Sequence, residues 1–358
     1  MVKVLLIGLD GATWNLIRPW AEKGILPTFK RLMDNGVWGE LESTTPPYTI
    51  PAWVSLSTGK TPESLGLYTF MVKRGYEFKP YFMVKKKEKT FWDILSEKGK
   101  RVCILNPPNV HSAYKINGVI VAGFLSISDE SLTYPPDLKE KLDSLVKGYE
   151  IDFVCVDAKG TVKLRKDKRG SIINDILRIH EKHFKAFKYI ITHYNPDFVF
   201  LVFTLLDRVQ HNFWSEKRIL LNCYKIIDSN LKDLIDSMDE DTVTIIVSDH
   251  GFGPIKRIFY VNEWLLKEGY LVLDAGNRNK RLLIKVIDIL ISKPKVKHFI
   301  QILFETLPLK IRKVIREKIA LITYYDMNVN WRKTKAFAYS GLGDIYLNVK
   351  GREPQGTI

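Results

Sequence analysis

Three aspartates in this 358-residue chain close long apolar runs, and two of them have a histidine close by in sequence. Asp10 ends Val2-Lys3-Val4-Leu5-Leu6-Ile7-Gly8-Leu9. Asp207 ends the run from Phe198 to Leu206 and precedes His211 by four residues. Asp249 ends the run from Val243 to Ser248 and is followed at once by His250, then by Gly251-Phe252-Gly253. If the chain turns helical after Leu206, a spacing of four puts Asp207 and His211 on one face, able to grip one cation. Adjacent Asp249 and His250 diverge in an extended segment, so they can serve two cations or approach one from opposite sides. The glycines after His250 let the backbone turn sharply there. Oxygen and imidazole donors without thiolate suit zinc, manganese or similar divalent ions. Two such ions clamp the attacking and leaving oxygens of an in-line displacement at phosphorus.

That chemistry lacks only a nucleophile, and Thr49 is the best candidate. It lies in Thr44-Thr45-Pro46-Pro47-Tyr48-Thr49-Ile50-Pro51-Ala52-Trp53, where Pro46 and Pro47 forbid regular structure and Pro51 suits the first turn of a helix ending near Gly59. A hydroxyl just before a helix N-terminus feels the positive end of the helix dipole, and a bound metal favours its alkoxide. Each residue also has a plainer reading. Thr49 serves equally as an ordinary N-cap, Asp207 with His211 as a surface ion pair, and Asp249-His250-Gly251 as a polar strand end and turn. Asp10 alone is a weak signal.

The elements needed to bring these residues together are legible in the hydrophobic pattern. Near-continuous apolar runs predict strands of a parallel sheet covered by helices on both faces, with ligands bound outside the carboxyl ends. Residues 27–33 read as a helix stopped at Asn35-Gly36, 37–43 as a short extended piece, and 68–89 as a basic, aromatic loop or hairpin. A helix over 90–98 and a strand over 101–105 follow, with another strand over 119–124. The stretch 133–170 is mixed. Amphipathic helices over 171–193 and 218–238 lead into the Asp207 and Asp249 strands. This alternation predicts an α/β fold with a doubly wound, mostly parallel sheet. Residues 255–330 interrupt it with basic, helical sequence, so 1–254 and 331–358 are expected to form the core and 255–330 a helical cap insertion.

The composition is that of a folded enzyme-sized chain with no low-complexity tract and no repeat. Residue 2 already begins the run that delivers Asp10, so no signal peptide is expected, and no apolar stretch is long enough for a membrane span. Cys103, Cys155 and Cys223 are scattered and read as reduced core residues of a cytoplasmic protein. The formal net charge of +15 is unusual. It fits either a lysine-rich solvated surface or attraction of an anionic partner. Between residues 280 and 320 eleven basic side chains stand against three acidic ones. Basic amphipathic helices of this kind either pack on the protein body or lie on an anionic membrane. A nucleic-acid partner is not expected, since no such module is visible.

Five segments taken together resemble the alkaline phosphatase superfamily. They are Gly8-Leu9-Asp10-Gly11, Thr49-Ile50-Pro51-Ala52-Trp53, Ser57-Thr58-Gly59-Lys60-Thr61-Pro62-Glu63, Asp207-Arg208-Val209-Gln210-His211 and Ser248-Asp249-His250-Gly251. The resemblance is to the type I phosphodiesterase/nucleotide pyrophosphatase branch, in particular the phosphohydrolase/phosphomutase group of archaea. It implies one metal held by Asp10, Thr49, Asp249 and His250, with Thr49 also the transiently phosphorylated nucleophile. It implies a second metal on Asp207, His211 and a further histidine. Here the sequence departs from the pattern, because after His250 the only histidine is His298, inside the basic insert. Family members supply that ligand after the segment resembling Gly351-Arg352-Glu353-Pro354-Gln355-Gly356. The expectation is therefore either a shortened form of a longer protein or a second metal without its usual third ligand.

Within the superfamily, threonine at the nucleophile position argues against sulfatases, which need a modified cysteine or serine, and against the serine-using mutases and phosphatases. Threonine-using phosphoethanolamine transferases are membrane-anchored. The resulting expectation is hydrolysis of a phosphodiester or pyrophosphate bond, with two divalent ions, zinc or manganese, and Lys60 and Asn106 as phosphate contacts. The rivals are a phosphomonoesterase or phosphotransferase acting on a lipid or sugar headgroup, and a non-catalytic homologue that binds anions or membrane.

Overall fold

The structure, a computed structural model, describes residues 2–81, 88–126, 131–152, 154–156, 162–164, 169–274, 329–339 and 343–358. It divides into two compact units, Met1–Lys256 and Arg257–Ile358.

The first unit opens with β1 (Val4–Leu9), α1 (Trp14–Glu22), α2 (Pro27–Asn35), α3 (Thr49–Thr58) and α4 (Pro62–Leu65). A hairpin of β2 (Met71–Arg74) and β3 (Glu77–Pro80) precedes α5 (Phe91–Glu97), β4 (Val102–Leu105), β5 (Gly118–Val121), β6 (Thr133–Tyr134) and α6 (Leu138–Val146). Then come β7 (Val154–Val156), β8 (Val162–Leu164), α7 (Arg169–Tyr194), β9 (Phe198–Phe203), α8 (Leu205–Phe213), α9 (Lys217–Asp236) and β10 (Val243–Val247). One sheet runs β10-β1-β9-β4-β5-β6, parallel except for the β5–β6 pair. With helices on both sides, this is the expected α/β architecture.

Local chemistry sets the helix boundaries that matter for the site. Pro27 starts α2 without needing an N–H partner, and the next two N–H groups, of Thr28 and Phe29, donate to the Asp228 carboxylate of α9 at 3.1 and 2.9 Å. Gly59 ends α3 in the left-handed conformation, φ 68°. Thr90 and Asp93 form a reciprocal capping box on α5. The core sits on the central strands, where Leu5, Ile7, Val199, Phe200, Leu201 and Val202 have no solvent exposure. Trp53 and Trp92 pack against Phe200. Cys103 and Cys223 are free and buried, as expected, while the side chain of Cys155 lies outside the described residues.

The three strands that deliver the aspartates are neighbours, with β1 between β9 and β10. Their registers are level at the carboxyl ends: Leu9 pairs with Phe203 and Gly8 with Val247. Three expectations need correction here. The second strand stops at Phe203, and Asp207 lies in the first turn of α8 because the chain becomes helical at Leu205. The third strand is not covered on both faces. β10 lies at the sheet edge and leaves Val243 and Ile245 56% and 46% exposed. Residues 37–43 form no strand and run as largely exposed chain, Val37 and Leu41 among them. The helix α1, capped by Thr13 onto the Asn15 amide, was not anticipated from the sequence.

In the second unit, α10 (Val261–Lys267) packs beside the antiparallel pair β11 (Ala336–Ala338) and β12 (Ile345–Leu347). The Asn262 side chain makes both hydrogen bonds of the Ala338 backbone, each 2.8 Å. The described residues of 331–358 group with α10 in the second unit. Residues 275–328, which include most of the expected cap, the basic stretch and His298, lie outside the described residues. Among the described residues no helix is long and apolar enough to cross a membrane.

Candidate active site

Asp10 is the first residue beyond β1, its amide fixed by the Phe203 carbonyl of β9 at 3.0 Å. Gly11 follows with φ +70°, a left-handed turn that an L side chain rarely adopts. The turn aims the Gly11 amide at Asp249 Oδ1, 3.1 Å away, and its carbonyl at Gln210 Nε2, 2.7 Å away. A Cβ at this position would stand 3.3 Å from Asp207 Cα. One glycine therefore spaces all three aspartates.

Thr49 is the first residue of α3, not a loop residue, and Tyr48 holds the cap position. Its hydroxyl makes no cap bond. It lies 3.1 Å from His250 Nε2. One helical turn on, Trp53 donates from Nε1 to Asp10 Oδ2 at 3.3 Å, so one face of α3 supplies both the hydroxyl and a brace for Asp10.

His250 is oriented through its other nitrogen. Nδ1 is 2.9 Å from the Gly251 carbonyl, which can only accept, so Nδ1 carries the proton and in the neutral ring Nε2 is bare. That lone pair faces Thr49, Asp249 Oδ2 at 3.3 Å and Asp10 Oδ1 at 3.7 Å. Donor atoms of Asp10, Asp249 and His250 all lie within 4.8 Å of one another. Asp10 Oδ1, Asp249 Oδ2 and Asp207 Oδ1 are closed to solvent and have no hydrogen-bond partner among the described residues. Buried carboxylate oxygens left without donors, converging with a bare imidazole nitrogen, form a donor set that fits a divalent cation.

The electrostatics point the same way. Burial, reinforced by Asp249 and Asp207, pushes the Asp10 carboxyl well above its ordinary range. Burial pushes Asp249 up to about 8, against the Gly11 amide that favours its charge, with Asp207 adding to the rise. A cation bound among these carboxyls would favour their charged forms and so oppose both rises. Burial works against charge on Asp207 too, but His211 and Arg208 outweigh it and hold the group below its ordinary range.

Asp207 and His211 share one face of α8, as their spacing requires, with His211 Nε2 3.2 Å from Asp207 Oδ1 but without hydrogen-bond alignment. His211 is largely exposed and takes the edge of the Phe252 ring, their centroids 4.8 Å apart. Of the expected ligands, Asp10, Thr49, Asp249 and His250 are brought into one cluster, and Asp207 with His211 forms a half-site beside it.

Two expected phosphate contacts are placed differently. Lys60 follows the C-terminal end of α3, about 15 Å along the helix from Thr49 at 1.5 Å per residue, and pairs there with Glu88. Asn106 lies at the end of β4 with φ 60°, buried, its Nδ2 donating to the Val202 carbonyl at 3.1 Å. The amide keeps a second hydrogen on Nδ2, and its oxygen has no hydrogen-bond partner among the described residues. Trp53, Arg208, Gln210 and Asp152 were given no role from sequence. Three of them sit inside the quoted motifs, and Gln210, polar at the apolar face of α8, was the readable signal.

The model of the family described as type I phosphodiesterase / nucleotide pyrophosphatase matches residues 4–348. The chain belongs to that family. No curated protein matches this phosphodiesterase-family chain. Among solved structures it is similar to phosphonoacetate hydrolase from Sinorhizobium meliloti 1021, in complexes with phosphonoformate and with phosphonoacetate. Both matches have a TM-score of 0.50 and 17% identity, over 74% and 75% of this chain and 62% of theirs. The likeness establishes the alkaline phosphatase-like α/β fold. The chain thus spans less than two thirds of those relatives' length.

Proposed function

We propose that this protein is a metal-dependent hydrolase of phosphodiester or pyrophosphate bonds that works through Thr49. The observation that carries this is the contact between Thr49 Oγ1 and the bare Nε2 of His250, 3.1 Å apart, above buried carboxylate oxygens with no partner. Family membership supports the same bond class.

Asp10, Thr49, Asp249 and His250 would hold one divalent ion, and Asp207 with His211 would contribute to a second. Zinc and manganese both suit the donors. Bound there, such ions supply positive charge for the developing phosphoryl oxygens and favour the deprotonated hydroxyl. The chain's own residues do the remainder. His250, its tautomer set by Gly251, would offer its Nε2 lone pair to the ion beside Thr49 Oγ1, and the Thr49 proton leaves to water. Oγ1 then attacks phosphorus as the bond to the leaving oxygen breaks, giving a phosphorylated threonine and the released alcohol or phosphate. Water attacking the same phosphorus returns the hydroxyl. Trp53 and Gly11 keep Asp10 and Asp249 in place throughout.

Turnover of bis-p-nitrophenyl phosphate against p-nitrophenyl phosphate, with zinc and with manganese, tests this. Asp249→Asn is the control, since its amide oxygen can still accept from Gly11 while the anionic ligand is gone. Diester hydrolysis that needs metal and disappears in Asp249→Asn is expected. Hydrolysis of the monoester alone would favour the phosphomonoesterase alternative, and metal-independent activity would overturn the reading.

A further inference from the structure

Arg208 is a charged residue buried beside the site, with 16% of its side chain exposed. Each of its three guanidinium nitrogens donates a hydrogen bond. Nη1 donates to Asp207 Oδ2 at 2.6 Å, while Nε and Nη2 donate to Asp152 Oδ2 at 2.9 and 2.7 Å. Its face rests on the Phe124 ring, 4.6 Å from the centroid. A guanidinium held on two edges and one face is poorly free to follow a substrate. It is well suited to fix its neighbours.

The neighbour that matters is Asp207. Its two oxygens are in opposite states: Oδ2 is bonded to Arg208, and Oδ1 is closed to solvent, beside His211 Nε2 and without a hydrogen bond. A carboxylate with both oxygens free can rotate or chelate. With Oδ2 pinned, Asp207 presents one oxygen in one direction. Asp152, about fifty-five residues earlier in the chain, holds the far side of the guanidinium and so sets where Oδ1 points.

Resting on the hydrolase assignment above, we propose that Arg208, locked by Asp152, is the positioning residue of the Asp207–His211 half-site. It makes Asp207 a one-oxygen ligand and supplies the positive charge that lets a third carboxylate stand beside Asp10 and Asp249. Lysine keeps the charge but, as a single nitrogen, cannot span Asp207 and Asp152 in this fork geometry. Fork geometry, and not charge alone, is what the half-site needs.

The test is zinc and manganese binding, measured by titration calorimetry on the full chain for wild type, Arg208→Lys and Asp152→Asn, with circular dichroism on each. Asp152→Asn leaves both Arg208 and the ligands in place, so it carries the test if Arg208→Lys does not fold. Outer ligand supports typically govern metal affinity by roughly 10- to 100-fold. The wild type is expected to bind two ions, and both variants to keep the tighter one and bind the weaker one roughly 10-fold or more less tightly. Two ions bound with wild-type affinity by folded variants would overturn the positioning role and leave the hydrolase assignment standing. A wild type that binds one ion only would also overturn the positioning role, since there would be no second ion to position. No ion bound by the wild type would overturn the hydrolase assignment itself.

Discussion

With Nδ1 of His250 committed to the Gly251 carbonyl, Nε2 is the ring's one available lone pair, and Thr49 is the hydroxyl set against it. Thr49→Ser keeps an oxygen at that place and is expected to stay within about 10-fold of the parent. Thr49→Ala removes the nucleophile and is expected to lower kcat by roughly 10³-fold or more. Steady-state kinetics on the diester checks both, and an alanine variant with parental kcat would exclude a phosphothreonine step. At this scale the sequence was informative where chemistry is carried by residue type. Aspartate and histidine at the ends of apolar runs have few structural uses, so Asp10, Asp207, His211, Asp249 and His250 stood out. Lys60 follows the far end of α3 from Thr49, and Asn106 is buried with Nδ2 on the Val202 carbonyl; a phosphate contact depends on which end of a helix or which edge of an amide faces the site. Neither is written in spacing. Arg208 and Asp152 are far apart in the chain, and their pairing exists only in three dimensions.

The elements aim these residues through close approaches that the sequence marks only as small residues. Gly8, in β1, is where Trp53 of α3 lies on the strand: a Cβ there would stand 2.5 Å from the Trp53 ring and 2.9 Å from Val202 Cγ2. Trp53 is fully buried and its Nε1 braces Asp10, so the ring cannot move aside without disturbing the site. Gly8→Ala is therefore expected to destabilise the fold by about 1–3 kcal/mol, as overpacking does, and to weaken metal binding together with stability. Denaturant unfolding and metal titration on the same sample check the pair; a loss of stability with unchanged metal affinity would separate the helix contact from the site. Periodicity revealed the helices leading into β9 and β10, since their apolar faces repeat over many residues. It gave no warning that β9 ends at Phe203, because Thr204-Leu205-Leu206 is as apolar as the strand before it. Nor could it distinguish an edge strand from a central one, since β10 is as aliphatic as β1 and its position follows from pairing order alone.

Across the whole first unit, the helical layer is tied to the sheet by a buried histidine that the site does not use. His180 of α7 meets Asn230 of α9, Nε2 to Nδ2 2.8 Å, and sets its ring edge-on to Phe203 of β9. Burial, with a smaller push from His183, lowers its pKa from the ordinary 6.5 to about 3. The folded protein therefore keeps His180 neutral while the unfolded chain protonates it. The unfolded state binds more protons throughout the window between these two values, so the group costs nothing above pH 6.5 and destabilises the fold progressively as pH falls towards 3. At pH 5 the cost is about 2 kcal/mol. Asp10 and Asp249 act in the opposite sense. Their folded pKa values are raised, so their burden is greatest at high pH and is relieved as the pH falls. The raw pH profile of the parent mixes the two effects, and only a difference isolates the histidine. His180→Gln offers an amide oxygen to Asn230 where Nε2 stood, and it cannot be protonated. Unfolding free energies of parent and variant at pH 7.5 and pH 5 should thus diverge on acidification, the variant losing about 2 kcal/mol less. Parallel profiles would mean that His180 titrates normally in the folded protein, and that the contact between the helical layer and β9 admits water at this point.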